Sequence, residues 1–313
     1  MKRRDLLQGA AAFGLLAAVP FSAARRVFAS AGAAKGPIDA DGKQSSPKPN
    51  PLTPPSQGSI PVAFLLSEGA VIIDFCGPWE VFQDVSIPGR PDAAFRLYTV
   101  AETTQAIRAS GGMKIVPDYN LTSAPPPKVV VIPAQRGRGA PTLEWIRRSA
   151  KGADVIMSVC TGAFLLAQTG LLAGKAATTH HNGYREFAMA YPDIQLKRGA
   201  RFVEDGSLAS AGGLSSGIDL ALRVVERYYG REVATKTAYQ MEYQGQGWLN
   251  PDSNMVYASA RRSTDAPPLC PVCSMEVDPK TAPRSAYQGR SYYFCMPEHK
   301  ALFDTTPARY LDA

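Results

Sequence analysis

A thiol placed where a strand gives way to a helix is a candidate nucleophile, and Ser158-Val159-Cys160-Thr161-Gly162-Ala163 has that form. Ala153 to Met157 reads as a short buried strand, and Phe164 to Leu172 as an apolar helix ending near Gly174. A side chain on so sharp a turn points out of the packed sheet. At the first turn of a helix it also meets unpaired N–H groups and the positive end of the helix dipole, which favour the thiolate. The alternative is a buried structural cysteine, behaving as a small hydrophobe.

A second constellation lies near the C-terminus, where Cys270-Pro271-Val272-Cys273 is followed by Cys295-Met296-Pro297-Glu298-His299. Three thiols and an imidazole at this spacing complete a tetrahedral set for Zn(II), and thiolates also suit Cu(I). The alternative is a Cys270–Cys273 or Cys273–Cys295 disulfide without metal. The remaining cysteine, Cys76, sits two residues after Asp74, either as a resolving thiol for Cys160 or as a small buried hydrophobe.

Alternating strands and helices must position these groups. Ile60 to Leu66, Phe95 to Val100 and Lys128 to Ile132 read as strands, and Gln105 to Val116 as a hairpin turning at Gly111-Gly112. Helical patterns occupy Thr142 to Ala150, Thr161 to Leu172, Tyr184 to Ala190, Ser216 to Tyr229 and Glu232 to Tyr243. Buried strands alternating with amphipathic helices argue for an α/β sandwich with a mostly parallel sheet over residues 59–250. Residues 32–58, rich in Pro, Gly, Ser and Lys, are expected as a disordered tether, and 251–267 as a second linker. The segment 268–313 is too short for a self-sufficient core and needs a staple, which one zinc or copper ion would supply.

Residues 1–31 read as an export signal. Lys2-Arg3-Arg4-Asp5-Leu6-Leu7 and the apolar run Gly9 to Phe21 have the twin-arginine form, with Ala29-Ser30-Ala31 as a cleavage site, which predicts a periplasmic protein. Lys2, Arg3, Arg4, Arg25 and Arg26 against Asp5 carry +4 of the formal +7, so the remaining chain holds about +3. That small excess is a poor basis for nucleic-acid binding. No stretch is long and apolar enough for a convincing membrane span, so no stable insertion is expected once the signal is removed.

Four ordered blocks resemble the PfpI-type superfamily, and within it the isonitrile hydratases. They are Val62-Ala63-Phe64-Leu65-Leu66; Ile73-Asp74 with Gly77-Pro78-Trp79-Glu80-Val81-Phe82; Ser158 to Ala163 continuing through Gly170-Leu171-Leu172 to Ala177-Thr178-Thr179-His180; and Asp205-Gly206-Ser207 through Ala211-Gly212-Gly213 to Gly217-Ile218-Asp219-Leu220-Ala221-Leu222. The resemblance covers about residues 59–245. It implies a flavodoxin-like sandwich of the class I glutamine-amidotransferase type, commonly a homodimer, acting on a small molecule with no cofactor in the main domain. It matches Cys160 to the nucleophile and Asp74 to the carboxyl group that approaches the thiol from the end of the first strand. The alternative for Asp74 is a helix N-cap. Thr161 matches the residue beside the nucleophile in isonitrile hydratase. Peptidase-like relatives have His there, and Thr161 cannot serve as that base.

The resemblance also places His180, and His181 after it, near the substrate pocket. It departs at Ala134-Gln135, where paired glycines usually supply oxyanion N–H groups; side chains there would narrow the site or turn an amide away. Residues 268–313 resemble a YHS domain, found with heavy-metal transport and detoxification proteins, with His299 where many members carry cysteine. Three functions compete on this reading. The first is an exported cysteine-dependent hydratase or hydrolase. The second is a non-enzymatic metal or redox stress protein. The third, a ligand-binding regulator, ranks last because no helix-turn-helix pattern follows Tyr243.

Overall fold

The computed structural model describes residues 50–90, 92–258, 267–273 and 275–311. The twin-arginine segment, residues 32–49 of the expected tether and 259–266 of the second linker lie outside the described residues.

Strand β1 (Ile60–Leu65) leads into α1 (Ile72–Gln83), then β2 (Phe95–Ala101), the hairpin β3 (Ile107–Arg108) and β4 (Lys114–Ile115), and β5 (Tyr119–Asn120). Next come β6 (Val129–Ile132), α2 (Ala140–Ala150), β7 (Val155–Val159) and α3 (Gly162–Gln168). The short pair β8 (Ala176–Ala177) and β9 (Gln195–Leu196) flanks α4 (Tyr184–Ala190); β10 (Phe202–Asp205), β11 (Leu208–Ala211), α5 (Ser216–Tyr229) and α6 (Arg231–Gln240) complete the main domain. A small module follows, with β12 (Arg284–Tyr287), β13 (Arg290–Tyr293) and α7 (Pro297–Thr305).

Among the described residues, seven strands form one sheet in the order β10-β11-β7-β6-β1-β2-β5. Every pairing is parallel except that of β10 with β11, so the mostly parallel sandwich read from the sequence is the fold. Helices cover both faces, which is why central strands such as Val129–Ile132 are apolar at every position. Val62, Phe64, Val131, Met157 and Val159 pack in one core; Ala63, Leu65, Val130, Ile132 and Ile156 pack in the other.

Some expected elements differ. Helix α3 stops at Gln168 rather than Leu172, because Thr169 turns its hydroxyl back to the Leu166 carbonyl while accepting the Leu171 N–H. Helix α1 escapes the sequence pattern because it runs through Gly77-Pro78. Pro78 lacks the N–H that would bond the carbonyl four residues back, at Asp74, so the interruption falls at the site. Residues 50–58, expected within a free tether, are held on the domain. Leu52 N–H donates to the Arg227 carbonyl at 2.7 Å, and Arg90 donates to the Gly58 carbonyl at 2.7 Å. Among the described residues no helix is long and apolar enough to cross a membrane.

The strand order positions the chemistry. Strands β11, β7, β6 and β1 are consecutive and parallel, so the segments leaving their C-terminal ends converge. Those segments carry Leu214, Cys160, Ala134 and Asp74 respectively.

Candidate functional site

Cys160 directly follows β7, two residues before α3, with φ 58°, the left-handed region that residues other than glycine rarely adopt. Its N–H donates to the Gly212 carbonyl at 2.9 Å and its carbonyl accepts the Thr179 hydroxyl at 3.0 Å. Glycine is required two residues later: a Cβ on Gly162 would lie 2.2 Å from the Ile132 carbonyl oxygen. The sharp turn is therefore pinned by contacts to β6, to the loop after β11 and to the segment before His180.

Asp74 lies in the first turn of α1, not at the strand end, and it is fully buried. It does not cap the helix: the N-cap is Val71, which makes no side-chain cap. Instead its Oδ2 accepts the Ala134 N–H at 3.0 Å, the carboxyl group interacts electrostatically with the Cys160 thiol, and Oδ1 is buried without a hydrogen-bond partner. Burial pushes the carboxyl up from 3.8 to about 6, while the Ala134 N–H and the Cys160 thiol hold it lower than burial alone would. Cys160 is 7% exposed. Burial, and then the Asp74 charge, push it up from 9.0 to about 12, against the N–H groups of Thr161 and Leu214 and the Thr161 hydroxyl, which favour the anion. The thiolate expected from the helix start is thus not the resting form. At neutral pH the pair holds one proton, on sulfur, beside a carboxylate able to take it.

Of the two backbone amides at Ala134-Gln135, that of Ala134 is not offered to a substrate oxyanion. The Ala134 N–H is spent on Asp74, and the Gln135 side chain donates to the Leu65 carbonyl at 3.0 Å. The Thr161 N–H and hydroxyl both favour the Cys160 thiolate. His180 lies against the loop after β11, where a Cβ on Gly213 would come within 2.4 Å of its Cδ2. Its Nδ1 accepts the Asn182 N–H at 3.2 Å, which places the ring proton on Nε2. Burial, with the neighbouring His181, lowers its pKa to about 4, so it is a neutral donor. His181 stacks on Tyr257 with ring centroids 5.0 Å apart.

Cys76 is exposed on α1, which overturns its reading as a small buried hydrophobe. Two residues apart on a helix, it and Asp74 point to nearly opposite sides, so it is poorly placed to resolve Cys160. Leu214 escaped the sequence reading. Its contribution is a backbone N–H, and the only hint was the Gly212-Gly213 pair before it. The open clefts of about 650 and 530 Å³ elsewhere on the domain, one lined by Arg223 and Arg227, the other by Trp145 and Arg148, contain none of these residues.

The C-terminal cluster is compact. Cys270 Sγ lies 3.6 Å and Cys295 Sγ 3.1 Å from His299 Nδ1, and Cys273 and Cys295 sulfurs are 3.5 Å apart. All four donor atoms lie within 4.8 Å of one another and every cysteine is free, so the set fits a tetrahedral soft ion and not the alternative disulfide. Hydrogen bonds from Cys273 and His299 drive Cys270 toward the thiolate a metal requires. Beneath the cluster Val272, Val277, Tyr292, Phe294, Phe303 and Tyr310 form a small core. The module also touches α4: Arg185 donates to the carbonyl oxygens of Arg309, at 2.6 Å, and Tyr310, and Met189 packs on the module's core.

A parallel α/β sandwich carrying a cysteine on a strained strand-to-helix turn, faced by a buried carboxyl group, defines the class. The chain belongs to the DJ-1/PfpI family, whose model matches residues 61–227, and residues 270–313 match the YHS domain. Isonitrile hydratase of Pseudomonas putida is 31% identical over 195 residues, 59% of this chain and 79% of that protein. The HTH-type transcriptional regulator GbdR of Pseudomonas aeruginosa is 23% identical over 62% of this chain, which spans 53% of the regulator's length. Among solved structures, a THiJ/PfpI family protein from Pseudomonas syringae aligns with TM-score 0.55 and 26% identity over 65% of this chain and 82% of that one.

Proposed function

We propose that the main domain is a cysteine-dependent hydratase or hydrolase for a small electrophile, an isonitrile or a reactive carbonyl compound, exported together with a module that binds one zinc or copper ion. The observation that supports it is the Asp74–Cys160 pair, a thiol whose proton has a buried carboxylate as its immediate acceptor. Kinship with isonitrile hydratase favours the isonitrile.

For an isonitrile R–N≡C, Cys160 Sγ bonds the terminal carbon while the thiol proton passes to Asp74 and then to that carbon, giving a thioformimidate, Cys160–S–CH=N–R. Water adds to the carbon, the nitrogen takes a proton, the C–S bond breaks and the thiol is restored. The product is the formamide R–NH–CHO, with no oxidant or reductant consumed. The Leu214 and Thr161 N–H groups stabilise the sulfur anion as it forms and leaves. Cys270, Cys273, Cys295 and His299 would hold the metal, which would supply a structural staple to the module.

A second reading, a non-catalytic regulatory or metal-responsive protein, is favoured by the regulator relatives and by the protonated resting state of Cys160. One experiment separates them. The purified chain is incubated with alkyl isonitriles and with a reactive dicarbonyl, and product is followed by NMR. Turnover lost in Cys160→Ser supports the enzyme; stoichiometric binding without turnover supports the second reading.

A further inference from the structure

Leu214 combines three properties that packing alone does not require. Its φ is 40°, a strained value for an L residue with a bulky side chain. It follows the Gly212-Gly213 pair that is hydrogen-bonded to Cys160, and its N–H favours the Cys160 thiolate. Its apolar side chain is 42% exposed. Strain of this kind is kept where the surroundings over-determine it, and here they do. Gly212 accepts the Cys160 N–H at 2.9 Å on one side, and Gly213 is pressed against His180 on the other, leaving no room for a Cβ. The loop is locked so that one residue presents a backbone donor to the sulfur and an isobutyl group to solvent.

Other surroundings of the thiol point the same way. Ile73, next to Asp74 in the chain, is 37% exposed, and α1 packs on α5 through Gly77 and Ile218. Thr161 and Ala134 are uncharged and His180 is neutral, so the charge belonging to the site is that of Asp74. An anion approaching Cys160 meets that carboxylate, while none of these neighbours offers a compensating cation.

We infer that Leu214 is a specificity-determining residue of the Cys160 site, selecting uncharged electrophiles whose substituent is apolar. The inference rests on the reading of Cys160 as the nucleophile, and its readout is chemical labelling, which needs no natural substrate. Leu214 sets the choice among electrophiles through its side chain; its N–H acts on the sulfur whatever the side chain is.

The test uses the full chain with zinc bound, Cys76 serving as the exposed internal reference. Maleimide and N-cyclohexylmaleimide compete for the thiols, and the modified peptides are counted by mass spectrometry. Cys160 is expected to favour the cyclohexyl reagent about tenfold more than Cys76 does, the discrimination a few buried methylenes provide. It is also expected to react at least about tenfold faster with iodoacetamide than with iodoacetate, relative to Cys76. Leu214→Asn keeps the N–H and tolerates positive φ, and should bring the maleimide ratio to within about twofold of that at Cys76. Leu214→Gly should do the same with the strain removed. A preference missing from the wild-type chain, or one unchanged in Leu214→Asn, overturns the inference. So does a change of oligomeric state without a change of ratio, which would assign the side chain to contact between copies. If Cys160 is labelled by no reagent in the folded chain, the nucleophile reading falls and this inference with it; labelling without dependence on Leu214 sinks this inference alone.

Discussion

The Ala134 N–H donates to Asp74 Oδ2 at 3.0 Å, and this one bond changes what the site is. An amide on the loop after β6, where the family resemblance implies an oxyanion donor, instead steadies the carboxyl group that faces Cys160. Proton management at sulfur, with stabilisation from Thr161 and Leu214 on the other side, is the chemistry that remains.

Asp74→Asn should separate nucleophilicity from turnover. The Asp74 charge raises the Cys160 pKa, so removing it increases the thiolate fraction and speeds alkylation by iodoacetamide at pH 7. Turnover should nevertheless fall by about 10²–10⁴-fold, because the amide cannot carry the proton. Parallel labelling and product assays check both; slower labelling together with full turnover would refute the proton role.

Stability should respond to the same carboxyl group. Folding raises it from 3.8 to about 6, so the native state binds this proton more tightly than the unfolded chain does. Stability therefore declines as pH rises from about 4 to about 6 and levels off above that, the loss amounting to about 3 kcal/mol. Urea denaturation across this range should show the decline in the wild-type chain and its absence in Asp74→Asn.

The strand-to-helix turn should not tolerate a methyl group at Gly162. The Cβ would meet the Ile132 carbonyl at 2.2 Å, and backbone on a central strand cannot retreat. Gly162→Ala should cost about 3 kcal/mol or more and displace Cys160. Thermal denaturation and Cys160 labelling measure the two effects; a variant as stable as wild type would show that the turn relaxes.

Metal removal should unfold the C-terminal module. A four-ligand site in small zinc peptides is worth about 10–16 kcal/mol, more than the few apolar residues of this core supply. Residues 268–313, reduced and titrated with Zn(II) or Cu(I), should gain circular dichroism at one-to-one stoichiometry, with affinity falling as pH drops and the thiols protonate. Cys273→Ser or His299→Ala should reduce affinity sharply. A segment fully folded in the presence of a chelator would contradict this.

Much of the design was legible in the sequence because it is local. Apolar runs such as Val129–Ile132 alternating with amphipathic helices determine a parallel sheet covered on both faces, and CxxC with CxxxH determines a soft-metal set, since ligand spacing needs no knowledge of the fold. The order of blocks around Cys160 placed the thiol at a strand-to-helix turn. Tertiary structure decided what that thiol is. Asp74, Ala134, Cys160 and Leu214 are far apart in the chain and meet because four consecutive parallel strands end side by side. Only there do burial and the Asp74 charge outweigh the helix start and leave a protonated thiol. Only there does the backbone N–H of Leu214, which carries no sequence signature, become part of the site, because hydrogen bonds and desolvation depend on position in space, not on position in the chain.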